Sequence, residues 1–588
     1  MSDLAAVLSA ALAPAFESAG LDPSLGRVRR SDKPDLADYQ CNGALAGAKQ
    51  AKRNPREIAA QVIEAVKDHP AISEIEAAGP GFLNIRVSND VLSERASTIA
   101  LDKMAGATRA HDAEKLILDF GGANVAKPMH VGHLRTAVIG DTLQRIFRFL
   151  GDDVTSDVHL GDWGLQMGHL ITELQEEQPE LPYFDADNSG PFPAESPVSI
   201  DDLSRLYPQA SKKAKEDPDR NALSQAAVAE MQAGRAGYRA LLQHFVDVSI
   251  EALKVDYGFL GVHFDLWLGE KDVEPLIPDM VKTLQERGIA REDNGAWIIP
   301  VEREDDNKKM PPFMLLNSRG GSGYHTSDLA TILDRVEKYS PDRMVYVVDQ
   351  RQALHFEQVY RASEIAGFMK VYQLEHIGFG TVNGTDGKPF KTRDGGTLRL
   401  GDLTGMAVAE AEKKISEGGR VSDDIGTEER AQIADLVARA ALRFSDLQNT
   451  RTTNYIFDLE RFVSFEGKTG PYLMYQAVRI KSVLRKAEAE GSEPGEIRIE
   501  LPQERDVVLA LDGFDNALKL ARRKRMPHHL CEHVYGLAQA FSAFWGAVPI
   551  AKEDDPIKRA SRLGLVKAVA HQLETGLDLL GIKTPERM

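Results

Sequence analysis

The amino-acid sequence predicts a multidomain α/β protein with a doubly wound, Rossmann-like core that carries insertions. Three observations support this fold class. A short apolar run at 116–120 leads through a glycine-containing loop into a long helical pattern that ends near Gly151, which is how such a core begins. The residues before about 110 mix helical and strand-like patterns. The residues after 427 are almost wholly helical.

These patterns divide the chain into three predicted domains. Residues 1–110 are an α+β module, in which the helical pattern PREIAAQVIEAVK precedes the strand-like run GFLNIRV. The apolar stretch after Asp3 predicts an amphipathic surface helix rather than a signal peptide, because no positive region precedes it. Residues 113–425 are the α/β core, in which the acidic segment 174–220 is typical of a mobile surface insertion. A polar linker near 416–430 leads to the all-α domain, 427–588.

Composition indicates an ordinary globular protein. Of the 588 residues, 43% are apolar and 27% are charged, which allows a sizeable core. The sequence has no run of 18 apolar residues, so we expect no membrane partner. Cys41 and Cys531 lie far apart and predict a reducing compartment without disulfides.

The net charge of −18 at first argues against a nucleic-acid partner. The charge is uneven, however, because the residues from Thr427 onward carry 24 Lys and Arg against 23 Asp and Glu. Four consecutive cations at 522–525 are typical either of a phosphate-binding surface or of a solvated helix face. Charge alone therefore leaves the partner open.

The sequence His130-Val131-Gly132-His133 stands where the long helical pattern begins. A helix N-terminus presents unpaired N–H groups and a partial positive charge, which suit phosphate. Two imidazoles one turn apart can donate hydrogen bonds as charge develops at phosphorus. Gly132 leaves room for a flat nucleotide, and Lys127 adds a cation. The motif predicts a nucleotide site, and the plainer alternative is a helix start with two surface histidines.

A second cationic segment, GKPFKTRDGG, occupies residues 387–396. Lys388, Lys391 and Arg393 lie within six residues and are flanked by glycines. A mobile loop of this kind can close on a leaving pyrophosphate and open again for release. Without the HVGH motif, an ordinary basic surface loop would be the preferred interpretation.

These two motifs resemble the HIGH and KMSKS signatures of class I aminoacyl-tRNA synthetases. Longer segments, in chain order, resemble the arginyl-tRNA synthetase family: DYQCNGALAGAK, GPGFLNI, NVAKPMHVGHLRTAVIGD, HLGDWGLQMG, YHTSDLA, YVVDQRQALHF, FKTRDGG and LDLLGIKTPERM. The resemblance covers nearly the whole chain. It departs at Gly122-Ala123, where the family usually has a Ser-Pro or similar pair, and at Pro389-Phe390 in the second motif. Lys391 keeps the position of the catalytic lysine.

The resemblance implies ATP-dependent ligation of L-arginine to tRNA(Arg) through an arginyl-adenylate, with Mg²⁺ accompanying ATP. It also implies that bound tRNA is needed for the first step, and that the protein is a cytoplasmic monomer. The implied catalytic residues are His130, His133, Lys127 and Lys391, and the implied ATP-binding residues are His130, Gly132, His133 and Lys391. Two alternatives remain: another HxGH nucleotidylyltransferase, or a non-catalytic tRNA-binding paralogue.

An arginine pocket must recognise a planar cation with five hydrogen-bond donors, which requires a fixed carboxylate and polar acceptors. The resemblance implies that Asp328 binds the guanidinium, with Tyr324 one helical turn earlier and Gln352 in the same pocket. It also implies that Asp119 and Asn124 hold the α-amino and carboxylate ends. Without the resemblance, Asp328 would be interpreted as a helix residue in a salt bridge.

For tRNA binding, the resemblance implies contacts from the helical domain and from the N-terminal module. Tyr472 and Tyr475 are aromatic residues on which an unpaired base could stack, and Met588 matches a family position near the anticodon. Phe82 and Asn84 match the region that contacts the tRNA elbow. For the tyrosines and for Phe82, an ordinary core aromatic is the alternative interpretation.

Two other patterns are rejected. The segment EGKT at 466–469 is not a P-loop, because Phe462 stands where the first glycine is required. No metal site is expected from the histidine- and cysteine-containing segment 528–533, because its spacing does not match a structural zinc site and no second ligand pair follows.

Overall fold

The computed structural model describes residues 3–384, 387–388, 398–418, 421 and 425–588. The chain forms two compact units. The first unit comprises Met1–Arg109, Lys414–Ala440 and Ser464–Met588, and the second comprises Ala110–Lys413 and Ala441–Val463. Within the described residues, no helix is long and apolar enough to cross a membrane.

The N-terminal part of the first unit is a four-stranded antiparallel sheet of order β1-β2-β4-β3 with four helices. Its helices begin at well-defined caps: Asp3 accepts a hydrogen bond from the Ala6 amide at 2.7 Å, and Ser88 accepts one from Val91. The elements are α1 (Leu4–Ser18), β1 (Val28–Arg30), β2 (Tyr39–Cys41), α2 (Gly43–Ala51), α3 (Pro55–Val66), β3 (Ile72–Ala78), β4 (Phe82–Val87) and α4 (Asn89–Leu101).

The second unit contains a four-stranded parallel sheet of order β11-β10-β5-β6. An antiparallel three-stranded sheet, β7-β8-β9, comes before α12 in the chain. The elements that lie wholly in this unit are β5 (Lys115–Phe120), α5 (Val131–Leu150), β6 (Asp153–Asp157), α6 (Leu165–Glu177), α7 (Ile200–Glu216), α8 (Pro218–Gln232), α9 (Ala236–Leu260), α10 (Glu270–Val273), α11 (Ile277–Glu286), β7 (Arg291–Asp293), β8 (Ala296–Ile299), β9 (Phe313–Leu316), α12 (Tyr324–Tyr339), β10 (Arg343–Val347), α13 (Ala353–Ala366), β11 (Leu374–His376), β12 (Val382–Asn383), β13 (Tyr455–Ile456) and α16 (Leu459–Phe462). Helices α14 (Leu400–Gly418) and α15 (Thr427–Leu447) each have residues in both units.

The two central strands of the parallel sheet, β5 and β10, are largely apolar and buried. The buried run from Leu116 to Leu118 ends at Asp119, and the register aligns Asp119 with Asp157 of β6 and with Tyr346 of β10. Parallel sheets of this kind bind ligands at the carboxyl ends of their strands. Helix α5 begins ten residues after β5 ends, and it stops at Gly151, whose φ of 108° suits glycine at a helix C-terminus.

The segment 174–220, predicted as an insertion or a mobile surface segment, contains regular structure, because residues 200–216 form helix α7. Ser199 and Asp202 form a reciprocal capping box that starts α7. Leu203, Leu206 and Ala210 are buried along one side of this helix. Ser204, Arg205 and Pro208 lie between these apolar positions, and the proline in particular hides the helical pattern in the sequence.

The C-terminal part of the first unit is helical. It packs on the N-terminal part around a buried carboxylate: Asp512 accepts hydrogen bonds from the Leu4 amide, the Tyr39 hydroxyl and Arg95 Nε, the last at 2.7 Å. Removing one partner of a buried ion pair costs about 3–5 kcal/mol. The helices are α17 (Gly470–Ala489), α18 (Pro502–Asp512), α19 (Phe514–Lys524), α20 (His528–Ala547) and α21 (Pro556–Leu579). The predicted fold class, a parallel α/β core with an N-terminal module and a helical C-terminal domain, is confirmed.

Candidate active site

The two histidines of the HVGH motif cap helix α5. His130 is the N-cap residue, and its Nδ1 accepts the Gly132 N–H at 3.0 Å. His133 Nδ1 in turn accepts the His130 N–H at 3.0 Å, and the two ring centroids are 4.0 Å apart. Because each Nδ1 is an acceptor, each neutral ring carries its proton on Nε2. His130 can donate this proton to a ligand, whereas His133 also has a hydrogen bond to the backbone of Gly122.

The environment of these rings favours the neutral form. Burial is the largest cause that lowers the pKa of His133 to about 3, and the neighbouring His130 adds to it. Burial also lowers the pKa of His130, and Lys127 contributes. A side chain at Gly132 would place its Cβ 2.7 Å from His130 Cε1. Gly132 is therefore needed for the capping geometry, a reason that the sequence did not suggest.

The segment before α5 carries Lys127, whose Nζ lies 4.6 Å from the centroid of the Tyr207 ring. The residues that follow the cationic loop return to the motif: Val131 N–H donates to the Leu398 carbonyl at 3.1 Å, and Leu400 N–H donates to the Met129 carbonyl at 2.8 Å. The residues on either side of His130 are thus joined by backbone hydrogen bonds to the chain that follows the second motif. Lys391 itself lies outside the described residues.

Asp328 lies on the first turns of α12 in a ring of aromatic side chains. Its Oδ2 is 2.5 Å from His355 Nε2, and 30% of its side chain is exposed. The Tyr324 ring centroid is 5.0 Å from that of His355 and 4.2 Å from that of His325. The structure therefore brings Asp328 and Tyr324 together, as the sequence predicted. Gln352 is exposed and lies at the start of α13, three residues before His355.

A second carboxylate, Glu270, accompanies Asp328. Ser327 Oγ donates to Glu270 Oε1 at 3.3 Å. Burial is the main cause that raises the pKa of Glu270, and the negative charge of Asp328 raises it further. The pocket therefore concentrates negative charge that a cation would relieve. No sequence pattern singled out Glu270, because only the tertiary fold brings it close to Ser327, which is 57 residues away in the chain.

Asp119 is already engaged in an ion pair. Its Oδ2 is 2.6 Å from Arg335 Nη2, and the same nitrogen is 2.8 Å from Asp157 Oδ2. Asp119, Asp157 and His159 are close enough to hold a metal ion, but the Arg335 guanidinium bridges the two carboxylates. Asp119 therefore connects β5 to helix α12, which also carries Asp328.

Asn124 lies in the loop between β5 and α5. It forms a parallel bridge with Gly161, where an added Cβ would lie 2.4 Å from Asn124 Oδ1. The amide of the next residue, Val125, donates to the Gly161 carbonyl at 3.1 Å. Asn124 is half-buried and is fixed by this backbone pairing.

The helical C-terminal domain contains a cavity of about 800 Å³ lined by Tyr475, Trp545 and Met588. Its other lining residues include the cations Arg479, Arg485, Lys486, Lys552 and Arg587. The guanidinium of Arg479 lies 5.1 Å from the centroid of the Trp545 ring. We call these residues the aromatic cavity. Tyr472 does not line it, and its ring is 5.9 Å from that of Tyr535. Trp545 was not singled out from the sequence.

In the N-terminal module, Phe82 and Asn84 alternate with buried Leu83 and Ile85 along β4. Gln40 Nε2 donates to Asn84 Oδ1 at 3.1 Å, and Asn84 Nδ2 donates to Glu76 Oε1 at 3.2 Å. Both predicted residues therefore belong to one face of the sheet, with Phe82 half-buried and Asn84 buried.

A parallel sheet whose first strand leads to two histidines at a helix N-terminus is the arrangement expected of a class I aminoacyl-tRNA synthetase, and the match to a family model of that class establishes it. The sequence matches three families: "tRNA synthetases class I (R), catalytic domain" over residues 96–459, "DALR anticodon binding domain" over 473–588, and "Arginyl tRNA synthetase N terminal domain" over 2–87. The chain belongs to the arginyl-tRNA synthetase family. The family predicted from the sequence is thereby confirmed.

Individual relatives agree over their full lengths. The arginine–tRNA ligase of Hyphomonas neptunium is 66% identical over 590 residues, and that of Maricaulis maris is 56% identical over 589; both alignments cover 100% of each chain. Among solved structures, arginyl-tRNA synthetase from Plasmodium falciparum has a TM-score of 0.80 at 22% identity and covers 100% of both chains. The Thermus thermophilus enzyme has a TM-score of 0.79 at 23% identity and covers 99% of this chain and 100% of its own. At these identities, the structural likeness supports the fold.

Proposed function

We propose that this chain joins L-arginine to tRNA(Arg) in two steps. The arginine carboxylate attacks the α-phosphorus of ATP, which gives arginyl-adenylate and releases pyrophosphate. The 2′-hydroxyl of the terminal ribose of the tRNA then attacks the carbonyl carbon of the adenylate, which forms the arginyl ester, breaks the acyl–phosphate bond and releases AMP. The observation that carries this proposal is the proximity of two carboxylates, Asp328 and Glu270, whose charges interact, in the unit that also contains the HVGH motif.

In this proposal, the guanidinium group of arginine binds Asp328, with Tyr324 and Gln352 in the same pocket. A carboxylate can accept two parallel hydrogen bonds from a guanidinium, whereas the ammonium of lysine cannot reproduce that geometry. Glu270 supplies a second negative charge beside Asp328. A pocket whose buried polar groups stay unpaired rejects the wrong substrate by about 10⁴-fold. Asn124 and Asp119 hold the α-amino and carboxylate ends, and Arg335 fixes the orientation of Asp119.

ATP binds with its phosphates at the N-terminus of α5. There His130 and His133 donate from Nε2 to the oxygens on which negative charge develops during the attack. Donors fixed at such positions accelerate a reaction most. Gly132 allows this arrangement. Lys127 and Lys391 supply positive charge to the phosphates. Mg²⁺ accompanies ATP and is held largely by phosphate oxygens and water.

The tRNA partner is proposed to bind the first unit. The aromatic cavity offers Tyr475 and Trp545 as stacking surfaces and Met588 as an apolar contact, with cations around them for phosphates. Tyr472 lies outside this cavity and is a weaker candidate. Phe82 and Asn84 are proposed to contact the tRNA elbow. A monomeric state and a cytoplasmic location remain predictions.

The Asp328→Ala variant tests the arginine assignment. We expect arginine-dependent pyrophosphate exchange in the presence of tRNA to be almost abolished at ordinary arginine concentrations. The KM for arginine should rise by about 10²-fold or more, because the guanidinium loses its paired charge. ATP binding, measured separately, should change little.

Asp334→Asn is the matched control. Asp334 lies on the same helix as Asp328, but its carboxylate pairs with Lys338, with 2.8 Å between Asp334 Oδ1 and Lys338 Nζ. That variant should keep the wild-type KM for arginine. An unchanged arginine KM in the Asp328→Ala variant would refute the assignment of the pocket.

A further inference from the structure

The loop between Asn124 and Lys127 contains a residue in an unfavourable backbone conformation. Ala126 has a φ of 62°, in the left-handed region that residues with a Cβ rarely adopt. It lies between the residue proposed to hold arginine and the residue proposed to face the phosphates. A relaxation of Ala126 to an ordinary conformation would rotate its two neighbours relative to each other.

A buried serine on another helix holds this conformation in place. The Ala126 N–H donates to Ser249 Oγ at 2.9 Å, and Ser249 Oγ donates to the Phe245 carbonyl one turn earlier in α9 at 2.6 Å. Ser249 is 2% exposed and Ala126 is 1% exposed. Loss of the hydroxyl therefore leaves the buried Ala126 amide without its hydrogen-bond partner in the protein.

The residues on either side are fixed by separate contacts. The Val125 N–H donates to the Gly161 carbonyl at 3.1 Å, and the Val125 carbonyl accepts from Gln166 Nε2. The Lys127 N–H donates back to the Asn124 carbonyl at 3.3 Å. The Ser249 bond is thus the contact that acts on the strained residue itself.

We propose that Ser249 is a positioning residue for adenylate formation, which holds Ala126 in the left-handed conformation and so aligns Asn124 with Lys127. Ser249 does not touch the substrates; it acts through the Ala126 amide. Arginine and ATP then meet at the distance and orientation that attack requires, and small errors in that orientation reduce rates strongly. This inference rests on the proposed roles of Asn124 and Lys127.

The first test compares Ser249→Ala with a matched control. We expect Ser249→Ala to lower kcat for tRNA-dependent pyrophosphate exchange about 10-fold, with a smaller change in the KM for ATP. Ser9 offers the same geometry elsewhere: its Oγ accepts the Val28 N–H at 2.9 Å and donates to the Ala5 carbonyl at 2.6 Å. Ser9→Ala should therefore remove an equivalent bond without lowering this kcat.

The second test is rescue. Glycine adopts a positive φ at little cost, so Ala126→Gly should restore most of the lost kcat when it is combined with Ser249→Ala. Ala126→Val, whose branched side chain resists a positive φ, should lower kcat even when Ser249 is present. A purely packing role for Ser249 predicts no rescue by glycine. A wild-type kcat in folded Ser249→Ala, or no rescue by Ala126→Gly, would overturn the proposal.

Lys127→Ala and Asn124→Ala separate this inference from the proposed function. If both lower kcat or raise the KM for arginine while Ser249→Ala has no effect, the site stands and the positioning role fails. If neither variant changes the kinetics, the proposed roles of these two residues fail, whatever the result at Ser249.

Discussion

The acidic pocket on α12 and the aromatic cavity of the helical domain use opposite chemistry. The pocket places Asp328 and Glu270 among histidine and tyrosine rings, and its carboxylates already have hydrogen-bond partners. The cavity places Trp545 and Tyr475 among several cations, in a volume of about 800 Å³. The first arrangement suits a small, rigid cation, and the second suits an anionic polymer with unpaired bases.

This difference explains why the net charge of −18 misleads. Electrostatic recognition depends on the charges that face a ligand, and these are arranged locally. One chain can therefore hold an acidic site for arginine and a cationic surface for RNA. Substitutions in the acidic pocket should therefore change the kinetic constants for arginine only, and substitutions in the aromatic cavity should change those for tRNA only.

The largest effect is expected at His130, because its donor acts only in the transition state. His130→Ala should lower kcat for adenylate formation about 10²- to 10³-fold and change the KM for ATP much less. His130→Asn is the informative companion, since asparagine can cap the helix but cannot present the imidazole donor. It should keep the stability of the protein and still lose kcat, as pyrophosphate exchange and thermal unfolding can show. Equal changes in kcat and KM would contradict the transition-state role.

Acid should affect the two regions differently. His533 of the helical domain packs against Phe514 and contacts Gln572, and burial lowers its pKa to about 4. Its contribution to stability is complete above pH 6.5 and is lost as pH falls from 6.5 to 4, by about 3 kcal/mol in total. In the second unit, the lowered pKa of His133 likewise reduces the free energy of unfolding as pH falls. Asp162 opposes it, because burial raises the pKa of this carboxyl to about 7 and folding therefore takes up a proton.

We therefore expect the free energy of unfolding of the helical domain to decrease steeply between pH 6.5 and 4.5. His533→Gln should reduce that slope by about 1.4 kcal/mol per pH unit at most, whatever its effect at pH 7.5. Urea denaturation at several pH values provides the measurement. An unchanged slope would mean that His533 does not stay neutral in the folded protein.

The smallest effect is expected at Trp545. Loss of one stacking aromatic costs about 1–3 kcal/mol per base, so Trp545→Ala should raise the KM for tRNA(Arg) by about 10-fold or somewhat more. Trp545→Phe should recover much of the loss. The KM for arginine, measured at saturating tRNA, should not change. A rise in the arginine KM alone would place the role of Trp545 outside tRNA binding.

Local patterns predicted the parts of the structure that local physics decides. As expected, the apolar run before Asp119 is a strand, and the long helical pattern up to Gly151 is a helix. Both could be predicted because burial and helix capping depend on residues that are close together in the sequence. The helix at 200–216 was missed, since Asp201 and Asp202 at its start and Pro208 within it resemble a solvated, irregular segment.

Side-chain partners were harder to predict than elements. Asp119 meets Arg335 across 216 residues, and Ser249 meets Ala126 across 123. No periodicity encodes such contacts, because the tertiary fold alone brings these residues together. The family resemblance identified Asp328 as a candidate residue. Its contact with His355 and its proximity to Glu270 were found only in the structure.

The most direct test of the central claim compares arginine with citrulline, a neutral analogue of similar shape, as substrates of wild type and Asp328→Asn. If Asp328 binds the guanidinium, the kcat/KM of wild type should be about 10³-fold or more higher for arginine than for citrulline. The Asp328→Asn variant should lose most of that preference. If both proteins discriminate equally, the guanidinium is recognised elsewhere and the account of the pocket is wrong.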